Sequence, residues 1–154
     1  MIKVLFVCHG NICRSTMAEF VFKDMVQKRG LEPKFHIASA GTSTEELGNP
    51  VHPGTRNKLR EHGIDSSGKY AIQIKNSDYN KYEYILGMDK QNIQNMNRIW
   101  GGDSANKIKL LLEYVGEHRD IADPWYTGDF DATYYDVCRG CEALLEQIVK
   151  EHNL

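Results

Sequence analysis

The sequence predicts a single α/β domain: one three-layer unit, a four-stranded parallel sheet with helices on both faces. Three observations carry that prediction. Short apolar runs of strand character alternate along the chain with stretches whose apolar residues recur every three or four positions. Strands separated by helices call for right-handed crossovers, and these make the strands parallel and place helices on both sides of the sheet. Finally, 154 residues with 41% hydrophobic content suffice for one buried core, so residues 1–154 read as one domain, with no repeats and no low-complexity segment.

The elements follow in order. Ile2-Lys3-Val4-Leu5-Phe6-Val7 reads as a buried strand. Met17, Val21 and Met25 then repeat at four-residue spacing, with Ala18, Phe22 and Val26 beside them, and Gly30 is the expected stop of that helix. Phe35 to Ala40 reads as a second strand, followed by a polar loop with Gly41, Gly48, Pro50 and Pro53. A short helix is expected from Thr55 to His62, ending at Gly63. Tyr84 to Met88 is the third strand, and Asp89 caps a helix running to about Arg98. Ile108 to Leu111 is the fourth, although Leu111 to Tyr114 also fits a helical turn. A long loop from Asp120 to Gly128 leads to a C-terminal helix from about Asp131.

Bulk properties narrow the function. The formal charge is -2, with charged residues dispersed, which argues against nucleic acid or an anionic membrane as partner. The apolar run Val4 to Cys8 is too short for a membrane span or a signal-peptide core, so a cytoplasmic location is expected. There the thiols Cys8, Cys13, Cys138 and Cys141 are expected to stay reduced. Cys138-Arg139-Gly140-Cys141 has CxxC spacing, but it falls inside a helical pattern with Val137, Cys141, Leu144, Leu145 and Ile148 on the apolar face. Cys141 therefore reads as core, and no second pair completes a zinc site.

The chemistry concentrates in Cys8-His9-Gly10-Asn11-Ile12-Cys13-Arg14-Ser15, between the first strand and the first helix. A loop in that position aims successive backbone N–H groups at one point and makes an anion site. The candidate phosphate ligands are therefore His9, Gly10, Asn11, Ile12, Cys13, Arg14 and Ser15. Gly10 lets the backbone approach an anion closely, and Asn11 tolerates the left-handed conformation that turns N–H groups inward. Arg14 offers paired planar donors for two phosphate oxygens, which lysine cannot. A thiol beside a helix N-terminus and an arginine ionises readily and is a nucleophile in waiting. Cleavage of phosphate esters also needs an acid for the leaving oxygen. Asp123, before Pro124, Trp125 and Tyr126, is the leading candidate because proline holds the preceding residue extended. Asp120, Asp129 and Asp131 compete with it, and a simple Asx turn is the plainer reading of Asp123.

These residues carry a resemblance. Val7 to Ser15, Ser39-Ala40-Gly41-Thr42-Ser43, His62-Gly63-Ile64, Met88-Asp89 and Asp123-Pro124-Trp125-Tyr126 are similar, in this order, to the low-molecular-weight protein tyrosine phosphatases. The resemblance implies that Cys8 is the nucleophile, Arg14 the phosphate clamp and Asp123 the general acid, with Asn11, Ser15 and Ser39 supporting the loop. It also implies phosphotyrosine-bearing proteins or peptides as substrates, no cofactor or metal, and a reversible disulfide between Cys13 and Cys8. The chain departs from the family at Thr16, where proline is common, and at Asp65-Ser66-Ser67-Gly68, which lacks a second histidine that often braces the loop asparagine. His9 and Glu45 replace small or aromatic residues, so they join Trp125 and Tyr126 as candidate pocket walls.

Three other readings compete. Protein-arginine phosphatases of the same family tend to carry threonine where this chain has Ile12, and Ile12 with Trp125 and Tyr126 favours an aryl ring. An arsenate reductase would need a relay of cysteines in mid-chain, and none lies between Cys13 and Cys138. A silent phosphotyrosine-binding module would be expected to lose Cys8, Arg14 or Asp123, and all are present.

Overall fold

The computed structural model describes residues 1–154. Four parallel strands, β1 (Ile2–Cys8), β2 (Phe35–Gly41), β3 (Tyr84–Gly87) and β4 (Ile108–Leu110), form a sheet in the order β2-β1-β3-β4. The chain leaves β1 for a neighbour on one side and returns to its other side for β3. Strand order therefore reverses at β1, and a crevice opens beyond the C-terminal ends of β1 and β3. The loop after Cys8 lies at that edge.

Helices cover both faces, as the alternating pattern predicts. On one face Val4, Phe6 and Leu86 pack against Met17, Val21 and Phe22 of α1 (Arg14–Lys28). Leu144 and Ile148 of the C-terminal helix complete that core. On the other face Leu5, Val7, Ile85 and Ile108 meet Ile74, Tyr82 and Met96. The odd and even residues of β1 thus face opposite layers, and a strand buried on both sides has no polar alternation.

α1 stops where Gly30 was expected to stop it, by a specific device. Gly30 adopts φ 69°, its N–H reaches Gln27 O, and Leu31 N–H reaches Val26 O, a Schellman closure. The second helix, α2 (Pro53–Glu61), starts two residues earlier than the apolar pattern suggests, because Pro53 occupies its first turn and the His52 ring caps it. Two short pieces escaped the sequence reading: a 3-10 turn at Glu32–Lys34 and α3 (Asp78–Lys81). Neither is long enough to show a period. α4 (Lys90–Trp100) begins at the expected Asp89 cap, which forms a full capping box with Asn92.

The strands also need adjusting. β3 ends at Gly87, one residue short of the expected Met88, and β4 ends at Leu110. Leu111–Val115 is a 3-10 helix, so the helical alternative for that segment is the one realised. The expected loop from Asp120 contains one turn of helix, α5 (Pro124–Thr127), before α6 (Phe130–His152). Cys141 is fully buried in the core, as its place on the α6 apolar face implies, and all four cysteines are free thiols. No helix is long and apolar enough to cross a membrane.

α6 reaches the 3-10 helix through Gly140. A Cβ there would lie 2.5 Å from Leu111 Cγ, a branch point with little room to retreat. Gly140→Ala should gain about 1 kcal/mol of helix propensity and lose about 1–3 kcal/mol to overpacking. We expect a net fall in melting temperature by calorimetry. A melting temperature above the parent's would show that α6 can part from Leu111 freely.

Candidate active site

The loop from Cys8 to Arg14 wraps one point at the end of β1. Asn11 holds φ 59°, the left-handed conformation expected of it. None of the backbone N–H groups from Gly10 to Ser15 donates to a protein acceptor. Buried N–H groups are normally paired, so a run of free ones at a helix start is a donor set suited to an anion. Gly41 is needed for this geometry, because a Cβ there would stand 2.8 Å from His9 O, where β2 underlies the loop.

Hydrogen-bond direction around Asn11 is set from outside the loop. Its Oδ1 accepts from the Ile72 N–H at 3.1 Å, which orients the amide. Nδ2 must then donate, and it does so to Ser15 Oγ at 2.8 Å and Ser39 Oγ at 2.9 Å. Ser39 Oγ in turn donates its hydrogen bond to Glu19 Oε1 at 2.5 Å, a carboxylate that is itself buried. Ser15 has accepted from Asn11, so its hydroxyl hydrogen is free for Cys8 Sγ, 3.0 Å away. The sequence leaves open what braces Asn11 without a second histidine. The structure supplies Ile72, Ser39 and Glu19, with Lys69 Nζ donating to Ser39 O at 2.8 Å and lying 3.7 Å from Glu19.

Arg14 is 3% exposed and heavily engaged. Nη1 donates to Asp89 Oδ2 at 2.7 Å and Ile121 O at 2.9 Å, and Nη2 reaches Asp123 Oδ2 at 3.4 Å. Its Nε is buried without a partner. Burial works against the charge, but Cys8, Asp89 and Asp123 outweigh it and hold the guanidinium above its ordinary pKa. The sequence marks Asp89 as a helix cap and as part of the family resemblance, without a role at Arg14; in the structure its Oδ1 accepts from Asn92 N at 2.7 Å while Oδ2 holds Arg14. For Cys13, burial, reinforced by Cys8 and Asp123, pushes the thiol up to about 12, so it stays protonated.

The cleft over this loop is lined by Cys8, His9, Gly10, Ile12, Cys13, Arg14, Glu45, Glu46, Asp123, Trp125 and Tyr126. Every residue expected to contact phosphate or substrate is therefore there except Asn11 and Ser15, which sit beneath. Glu46 had not been expected. His9 Nε2 and Glu45 Oε2 stand 3.0 Å apart at the rim. Asp123 is extended as its proline demands, yet its carboxylate also makes the Asx turn: Oδ1 accepts from Trp125 N at 3.0 Å while Oδ2 faces Arg14. The two readings of that residue are not exclusive. Its competitors lie elsewhere: Asp120 accepts from Lys90 N, Asp129 caps α6, and Asp131 pairs with Lys58.

A family profile described as low molecular weight phosphotyrosine protein phosphatase matches residues 3–154. The chain belongs to that family. Among its relatives, the phosphatase is 44% identical to the low molecular weight protein-tyrosine-phosphatase YfkJ of Bacillus subtilis, over the full length of both. The crystal structure of YfkJ superposes with a TM-score of 0.94 at 45% identity, covering 98% of this chain and 96% of that one. The low molecular weight protein tyrosine phosphatase of Streptococcus pyogenes gives 0.86 at 42% identity, with 96% and 93% covered. A Drosophila arginine phosphatase gives 0.86 at 32%, with 96% and 98% covered.

The bracing of this phosphatase by Asn11 has a testable consequence. Asn11→Gly keeps the left-handed backbone but removes three hydrogen bonds, each contributing about 1 kcal/mol. Asn11→Ala adds a strain of about 1 kcal/mol. Both variants should lose most of the thermal stabilisation given by saturating inorganic phosphate, with Ala melting below Gly. If Asn11→Gly is stabilised by phosphate as fully as the parent, the backbone alone shapes the cradle.

Proposed function

We propose that this phosphatase hydrolyses phosphotyrosine in proteins or peptides through a phosphate ester of Cys8. The observation that carries this reading is the donor set around Cys8: free N–H groups from Gly10 to Ser15 and an unpaired, buried Arg14 Nε, converging over a sulfur that Ser15 can hydrogen-bond. Such donors match the equatorial oxygens of a phosphoryl group in transfer, where they stabilise more than in the ground state. The loop holds the sulfur in line with the scissile bond.

The sequence of events follows from the contacts. A phosphate dianion entering the cradle competes with Asp123 for Arg14 Nη2. The Cys8 thiolate attacks phosphorus, the bond from phosphorus to the phenolic oxygen breaks, and Asp123 gives its proton to that oxygen. Asp123, now a carboxylate, takes a proton from water as its oxygen attacks the cysteinyl phosphate. Inorganic phosphate leaves and the thiolate returns. Asp89 keeps Nη1 of Arg14 fixed throughout.

Ile12 on the cleft wall and the exposed Trp125 and Tyr126 at its mouth suit an aromatic ring by stacking and apolar contact. They support phosphotyrosine over phosphoarginine, the alternative raised by the Drosophila neighbour. A cytoplasmic location fits four thiols that are all free. We further propose redox control: peroxide oxidises the Cys8 thiolate to the sulfenic acid, then the Cys13 sulfur attacks the Cys8 sulfur, and its proton leaves with the displaced hydroxide as water, giving the disulfide.

Two measurements test this reading. Tyrosine is a poor leaving group, pKa about 10, whereas para-nitrophenolate leaves readily without a proton. Asp123→Asn should therefore slow phosphotyrosine hydrolysis far more than para-nitrophenyl phosphate hydrolysis; an equal loss on both would make Asp123 structural. Peroxide-treated Cys13→Ser should regain less activity with dithiothreitol than treated parent does. Equal recovery would remove Cys13 from the redox scheme.

A further inference from the structure

His52 takes no part in the chemistry above, yet it joins three parts of the site. Its backbone N–H donates to Ile12 O of the phosphate loop at 2.9 Å. Its ring Nδ1 accepts from Gly54 N at 3.0 Å and caps α2. The same ring stacks on Phe130, with centroids 5.3 Å apart and planes 20° off parallel, and meets Trp125 edge to face at 5.6 Å and 79°.

The surroundings make this a joint rather than a chance contact. Thr55 Oγ1, one turn into α2, donates to Cys13 O at 3.2 Å, so the start of α2 is tied twice to the phosphate loop. Gly54 packs so close to Phe130 that a Cβ would lie 2.3 Å from its ring. Trp125 is 56% exposed, so few contacts hold the indole, and the His52 ring is one of them. Trp125 also donates its backbone N–H to Asp123 Oδ1.

We propose that His52 is a positioning residue that sets the Trp125 wall of the cleft against the phosphate loop, and thereby governs affinity for the aryl part of the substrate. The inference rests on the reading that an aryl phosphate enters beside Trp125. Histidine suits the place because it combines a hydrogen-bond acceptor for the helix cap with an aromatic ring for Trp125. Other residues supply one function or the other, and this separates the two roles.

His52→Asn keeps a capping acceptor and loses the ring; His52→Phe keeps the ring and loses the acceptor. His52→Asn should raise KM for phosphotyrosine and para-nitrophenyl phosphate about fivefold, the scale of one aromatic pair. Its kcat should stay close to the parent's, as should inhibition by inorganic phosphate, which needs the cradle alone. His52→Phe should restore KM while lowering the melting temperature by about 3 °C, the scale of one lost cap. A parental KM in His52→Asn, or a KM that follows melting temperature across both variants, overturns the proposal. Fluorescence in a Trp100→Phe background reads Trp125 without any turnover: its emission should shift in His52→Asn and not in His52→Phe. A shift in neither variant would also overturn it, whereas loss of turnover in the parent would count against the proposed function alone.

Discussion

Asn11 carries a left-handed backbone and three side-chain hydrogen bonds at once, and the anion cradle depends on that combination. The backbone at Asn11 lies within the run from Gly10 to Ser15 whose N–H groups have no protein acceptor. The amide, oriented by Ile72, leaves Ser15 with its hydroxyl hydrogen free to point at Cys8. Glycine would supply the first property and a right-handed asparagine only the second. The cost of the conformation, about 1 kcal/mol, is offset by bonds in a buried setting where each matters more than at the surface. Beneath it, Glu19 accepts the Ser39 hydrogen bond and is answered by Lys23 and Lys69, so the support ends in paired charge rather than in an orphaned hydroxyl.

Charge balance sets the second constraint. Arg14 is almost wholly buried and lies among the Cys8 sulfur and two carboxylates, from Asp89 and Asp123. Removing one partner from a buried pair is costly. Asp89 is a fixed partner, bound at 2.7 Å and locked by the α4 cap, whereas Asp123 lies at 3.4 Å on a one-turn helix and is a quarter exposed. The asymmetry fits the division of work proposed above: Asp89 holds the guanidinium, and the looser Asp123 contact is the one an incoming phosphate would replace.

The loop and the sheet were legible because their signals are local. A strand, a glycine, an asparagine and a helix start within fifteen residues state their geometry directly, and Asp123 is marked by its proline. What escaped depends on distant packing. Glu19 has no visible partner in the sequence until Ser39 and Lys69 arrive from β2 and the loop after α2. Asp89 shows its cap in the sequence, but the pairing with Arg14 appears only when β1 and β3 lie side by side. A break in the buried face of α1, with glutamate four residues from both Ser15 and Lys23, was the available hint. Short pieces such as α3 and the Glu32–Lys34 turn lack the length for any period to show.

Covalent chemistry at Cys8 underlies every step proposed for this site. Acid quenching of the parent during turnover of para-nitrophenyl phosphate, followed by mass analysis of its peptides, tests that most directly. A phosphate is expected on the peptide bearing Cys8 and none on any peptide of Cys8→Ser, together with loss of turnover in that variant. Sustained turnover by Cys8→Ser, or phosphate trapped at another residue of the parent, would contradict it.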